Sequence, residues 1–147
     1  MAEITLRTDL SELTPLAEFI GRFATEGALP ADVAFQLDLV LEELVTNCIV
    51  YGRPGNGEGT IRLRLERAGD TVEIDLVDDG IAFDPRSAPE PDLDATLEDR
   101  QVGGLGVFLV RQFVDEFDYR REDGRNHLHL RKRITSRRES DEGAHRG

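Results

Sequence analysis

The chain has 147 residues, enough for one domain with a proper core and too few for two comfortable ones. Its 30 acidic residues against 18 basic ones give a formal charge of -12, which opposes broad contact with a phosphate backbone and argues against nucleic acid as a partner. A single cysteine excludes an internal disulfide, and the absence of a long apolar run or a charged-then-apolar leader leads to the expectation of a cytoplasmic protein with no membrane span.

Glu3 to Thr8 alternates apolar and polar residues and reads as a short strand. Thr14 followed by Pro15 reads as a helix cap with proline at the first helical position, and Leu16, Phe19, Ile20 and Phe23 then recur at helical spacing up to Gly27. A second helix starts at Leu29-Pro30, runs to Tyr51 and stops at Gly52. Leu37, Leu41, Leu44 and Cys48 form its apolar face, so Cys48 reads as a core residue rather than a reactive thiol. On a second face Gln36, Glu43 and Asn47 fall together, with Glu43 and Asn47 one turn apart. A carboxylate and a carboxamide so spaced suit one small target; a solvated polar edge is the other reading.

Arg53 to Gly59 is rich in turn residues and has no periodicity, which makes it a loop. The period then changes to two: Ile61, Leu63 and Leu65 alternate with charged residues, Ala68-Gly69-Asp70 turns the chain, and Val72, Ile74 and Leu76 alternate again. This hairpin has one wet face, so helices should cover only the other. Asp78 ends the second strand, and Gly80 follows where the backbone can turn sharply beside a ligand, although a strand entering an Asp-Asp-Gly turn is also ordinary hairpin structure. From about Arg86 to Val102 no strand is convincing, and a loop of this length is a lid, a binding segment or disordered chain. Gly103-Gly104-Leu105-Gly106 then opens a helix carrying Val107, Leu109, Val110, Phe113 and Val114; the glycines suit either an anion at the helix's positive end or a hinge. A last hairpin pairs Glu116 to Arg121 with Asn126 to Ile134 across Asp123-Gly124. His127 and His129 share one face of that strand but do not cluster with other ligands as a zinc site would, and the polar residues 135–147 read as a disordered tail.

Glu43-x-x-x-Asn47 on a helix, Asp78-x-Gly80 at a strand end and Gly103-Gly104-Leu105-Gly106 opening a later helix, in this order, resemble the GHKL ATPase superfamily. The likeness is greatest to its stand-alone anti-sigma factor serine-protein kinases, and it covers residues 3–134. There is no Gly-Lys-Ser/Thr and no G-x-G-x-x-G after the first strand, so the P-loop and Rossmann fingerprints do not fit. The resemblance implies an α+β two-layer sandwich for residues 1–134, a mixed, mostly antiparallel sheet with helices on one face. It implies an ATP site in which Asn47 ligates Mg²⁺, Glu43 is the general base, Asp78 reads the adenine amine, and Gly80 and Ala82 keep the adenine turn thin. Gly103, Gly104, Leu105 and Gly106 would wrap the triphosphate, and Arg100 would contact the γ-phosphate or else be a surface arginine. Many members carry glycine where Ala82 stands, and many place a threonine near the adenine where the last strand here offers His127 and His129.

The implied activity is that of a serine/threonine-protein kinase and anti-sigma factor that phosphorylates a STAS-domain anti-sigma factor antagonist. A sigma factor and a second copy of the chain are further implied partners. Retention of Glu43 favours a working kinase, because nucleotide binding alone needs no base there. A non-catalytic, nucleotide-gated binding module is the alternative, and a histidine kinase catalytic domain is expected to fit less well, since 147 residues leave no room for an acceptor helix pair or a sensor.

Overall fold

The computed structural model describes residues 1–51, 59–87 and 104–134. The expected loop between the second helix and the first hairpin, most of the proline-rich segment with Arg100, Gly103 and the tail lie outside these residues. Among the described residues the chain forms β1 (Ala2–Arg7), α1 (Leu13–Glu26), α2 (Ala31–Tyr51), β2 (Thr60–Ala68), β3 (Thr71–Asp78), α3 (Gly104–Phe113), β4 (Glu116–Glu122) and β5 (Arg125–Arg133). None of the described helices is long and apolar enough to cross a membrane.

Thr14 does not cap α1. A single 3-10 turn, Leu10–Glu12, precedes the helix, and the Asp9 carboxylate caps that turn by accepting from Ser11 N at 2.9 Å. α1 then starts at Leu13 without a side-chain cap, which leaves Pro15 in the first turn where its missing N–H costs nothing. Gly27 ends the helix, as its position in the sequence suggested.

The five strands form one sheet in the order β1-β2-β3-β5-β4. All four pairings are antiparallel, so the mostly antiparallel sheet that was expected is antiparallel throughout the described strands. The reason is topological. The crossover through α3 returns β4 parallel to β3 but one place away, and β5 folds back into the gap between them. The tight β4–β5 turn permits this: Asp123 and Gly124 both adopt left-handed φ values, 53° and 72°, the geometry that matches the strands' twist.

Alternation decides the layers. Ile61, Leu63 and Leu65 of β2, Ile74 and Leu76 of β3, and Leu128 and Leu130 of β5 stand on one face and are fully or almost fully buried. Against them pack Leu16, Phe19, Ile20 and Phe23 of α1 and Leu37, Leu41 and Leu44 of α2. The opposite face carries polar contacts open to water, His129 between Asp75 and Glu73 at 2.9 and 3.0 Å and an ion pair of Arg131 with Glu73 at 2.7 Å. The helices therefore cover one face only.

α2 and α3 run antiparallel, and this positions the site. The buried Lys132 ammonium donates to Gln36 Oε1 near the start of α2 and to the Phe113 carbonyl at the end of α3. Further along, Leu39, Val40 and Glu43 of α2 face Leu109 and Val110 of α3. Continued by a turn and a half, the same pairing carries the amino end of α3, Gly104-Leu105-Gly106, toward Asn47.

Candidate functional site

The apolar stripe of α2 is buried in the core. Leu44, Asn47 and Cys48 of that helix form one wall of a hollow of about 330 Å³, counted with its open mouth. Asp78 at the end of β3 and Asn126 and Leu128 of β5 form the floor. Ile81, Phe83 and Pro85 of the turn after β3 close the third side. The hollow is apolar with a few converging polar groups, which is the make-up of a small-molecule site.

Asp78 is the polar focus. It is 6% exposed, and its Oδ1 accepts from Gly80 N at 2.9 Å and from Asn126 Nδ2 at 3.0 Å. Among the described residues, Oδ2 takes only the weak thiol donor of Cys48, at 3.5 Å. Of the two adjacent aspartates, Asp79 is committed elsewhere, since its Oδ1 accepts from Thr60 N at 2.9 Å at the start of β2. Burial, and after it the charge of Asp78, push the Cys48 thiol well above its ordinary pKa, so it stays protonated and donates. Cys48 is thus a half-buried wall of the pocket as well as a packing residue.

One turn back along α2, Glu43 lines an adjoining groove of about 210 Å³ with Leu39, Val40, Leu109 and Val110. Its carboxyl is raised above the ordinary 4.5, chiefly by burial and further by the charge of Glu42, while a hydrogen bond from the Asn47 side chain works the other way. Asn47 is 5% exposed, lines the pocket and hydrogen-bonds to Glu43 of the groove. With its N–H on Glu43, its carbonyl oxygen remains as a hard donor.

The structure thus brings Glu43, Asn47, Asp78 and Gly80 together, and α3, which begins at Gly104, packs along α2 beside them. Ala82 is exposed and does not line the pocket, whereas its neighbours Ile81 and Phe83 do. His127 and His129 are not on the pocket side. They pair with Val77 and Asp75 on the outer face, and the pocket receives Asn126 and Leu128 from that strand. Asn126 escaped the sequence reading. The strand's alternation, with Leu128 and Leu130 inward, puts Asn126 on the inner face at the sheet's end and would have been the signal.

A model of the histidine kinase-like ATPase domain matches residues 6–132. The chain belongs to that family. Serine/threonine-protein kinase BtrW of Bordetella bronchiseptica is 31% identical over 131 residues, which cover 84% of this chain and 92% of that one. The anti-sigma F factor of Priestia megaterium is 28% identical over 98 residues, 66% of this chain and 67% of that one. Among solved structures, the RsbU and RsbW domains of a Mycobacterium tuberculosis protein superpose with a TM-score of 0.61 at 13% identity. The match covers 92% of this chain and 33% of that one, and at such identity it speaks to the fold alone. The two-layer α+β architecture of this ATPase family is thereby established for the chain, and use of ATP follows from membership.

Proposed function

We propose that this protein is an ATP-dependent serine/threonine-protein kinase and anti-sigma factor that phosphorylates a serine on a STAS-domain anti-sigma factor antagonist. It would thereby govern capture or release of a sigma factor, acting as a homodimer in the cytoplasm. Relatives named as a serine/threonine-protein kinase and an anti-sigma factor support the reading. The observation that carries it to a kinase is Glu43: a partly buried carboxyl of raised pKa, held by Asn47 one turn from the nucleotide pocket, which binding alone does not require.

The roles follow from the chemistry. Asp78 Oδ2 accepts from the adenine amine, and the apolar walls from Leu44, Phe83 and Leu128 take the ring faces. Asn47 would hold Mg²⁺ through its carbonyl oxygen, a fit with a cation that prefers hard oxygens and takes its other ligands from water and phosphate. Bound there, Mg²⁺ supplies charge neutralisation for the triphosphate. The backbone N–H groups that open α3 face the phosphates, with Gly103 and Arg100 proposed to complete that wall. Glu43 accepts the serine proton as the hydroxyl oxygen bonds to the γ-phosphorus and the bond to the ADP oxygen breaks, an assistance of roughly 10²- to 10⁴-fold.

Intact-mass spectrometry of STAS-domain proteins from the same genome, after incubation with the protein and Mg·ATP, tests this. One added phosphate on one candidate, absent with Asn47→Ala, is the expected result. ATP binding without phosphate on any candidate would replace the kinase by a nucleotide-gated binding module.

A further inference from the structure

Asn126 is 3% exposed, and all four hydrogen-bonding positions of its carboxamide are filled. Nδ2 donates to Asp78 Oδ1 at 3.0 Å and to the Ile81 carbonyl at 2.7 Å. Oδ1 accepts from the Tyr119 hydroxyl at 2.6 Å and from Phe83 N at 3.3 Å. One side chain on β5 therefore fixes the carboxylate on the pocket floor, two points of the turn that forms the pocket's third wall, and a tyrosine of β4. The Tyr119 end is itself braced: Arg86, paired with Asp84 at 3.0 Å, lies over the Tyr119 ring at 5.9 Å, and Arg111 of α3 donates to the Arg86 carbonyl.

We infer that Asn126, locked in orientation by Tyr119, is a positioning and specificity-determining residue for the base pocket. By occupying Asp78 Oδ1 it leaves Oδ2 as the only carboxylate oxygen open to a ligand, and so commits the pocket to bases that present an amine at that point. The inference rests on the nucleotide reading of the site. It concerns recognition of the base, not phosphate transfer. Asn126 touches no reacting atom; it acts through Asp78 and through the wall.

Asn126→Asp tests it with little change in shape. The variant removes both N–H donors and brings a second carboxylate within about 3 Å of Asp78 Oδ1, where the two share a proton and Asp78 accepts less strongly. The readout is the ratio of dissociation constants for ATP and for purine riboside triphosphate, which lacks only the 6-amino group. Wild type should favour ATP by about tenfold or more, and Asn126→Asp should bring the ratio toward one. Weakening of both nucleotides by the same factor, with the ratio unchanged, would show a merely structural residue and overturn the assignment. If Asn126→Asp does not fold, Tyr119→Phe decides: it removes one 2.6 Å bond to Asn126 and should lower the ratio about twofold to threefold, and an unchanged ratio refutes the inference. A wild type that binds neither nucleotide would instead overturn the nucleotide site itself.

Discussion

Asp78→Asn separates recognition from stability. The carboxylate receives Gly80 N and Asn126 Nδ2 on Oδ1, and these two bonds survive if the new carboxamide keeps its oxygen on that side. The substituted NH₂ then takes the place of Oδ2, facing Cys48 Sγ and the pocket. An adenine amine that met an acceptor now meets a donor. One charge-assisted hydrogen bond is lost and two donors are left facing each other, about 3 kcal/mol in all, or roughly a 100-fold rise in the dissociation constant. The fold should change by no more than about 1 kcal/mol, because the internal bonds remain and a thiol is a weak donor. Calorimetric titration with ATP, beside thermal unfolding of the free protein, measures the two effects apart. A folded Asp78→Asn that binds ATP as wild type does would place the base elsewhere and sink the assignment.

Glu43→Gln has a pH signature. Burial holds the folded-state carboxyl above its ordinary 4.5, so its contribution to stability is present below that value and is lost as pH rises through the raised one. The glutamine variant escapes this loss, and its melting temperature relative to wild type should increase as pH rises from the ordinary 4.5 through the raised value. The same variant should keep its affinity for ATP while transfer of phosphate falls by about 10²-fold or more; a difference in melting temperature that does not vary with pH would contradict the buried placement of the carboxyl. Leu41, with no exposed surface, sits where α2 meets the sheet, and Leu41→Ala should cost about 2–5 kcal/mol in urea unfolding. A loss below about 1 kcal/mol would mean that α2 is not packed as described.

By itself the sequence determined whatever depends on local periodicity. The three-four spacing of Leu37, Leu41 and Leu44 makes a helix with one buried stripe, and it places Glu43 and Asn47 together one turn apart whatever else the chain does. Alternation in both hairpins assigned the inner faces, and Asp123-Gly124 marked a turn that the left-handed φ values at both residues require. The same alternation, Ile74, Leu76 and Asp78, put that aspartate on the inner face, and only the tertiary structure showed where its neighbour goes, with Asp79 Oδ1 accepting from Thr60 N across the strand pair. Sheet order was equally out of reach, since the insertion of β5 between β3 and β4 is a contact between segments distant in sequence. That insertion sets Asn126 beside Asp78, 48 residues earlier in the chain, and turns both histidines of β5 outward. A strand's alternation says which residues share a face. Which face meets the helices, and which partner stands across the ladder, is settled by the burial of all the strands together.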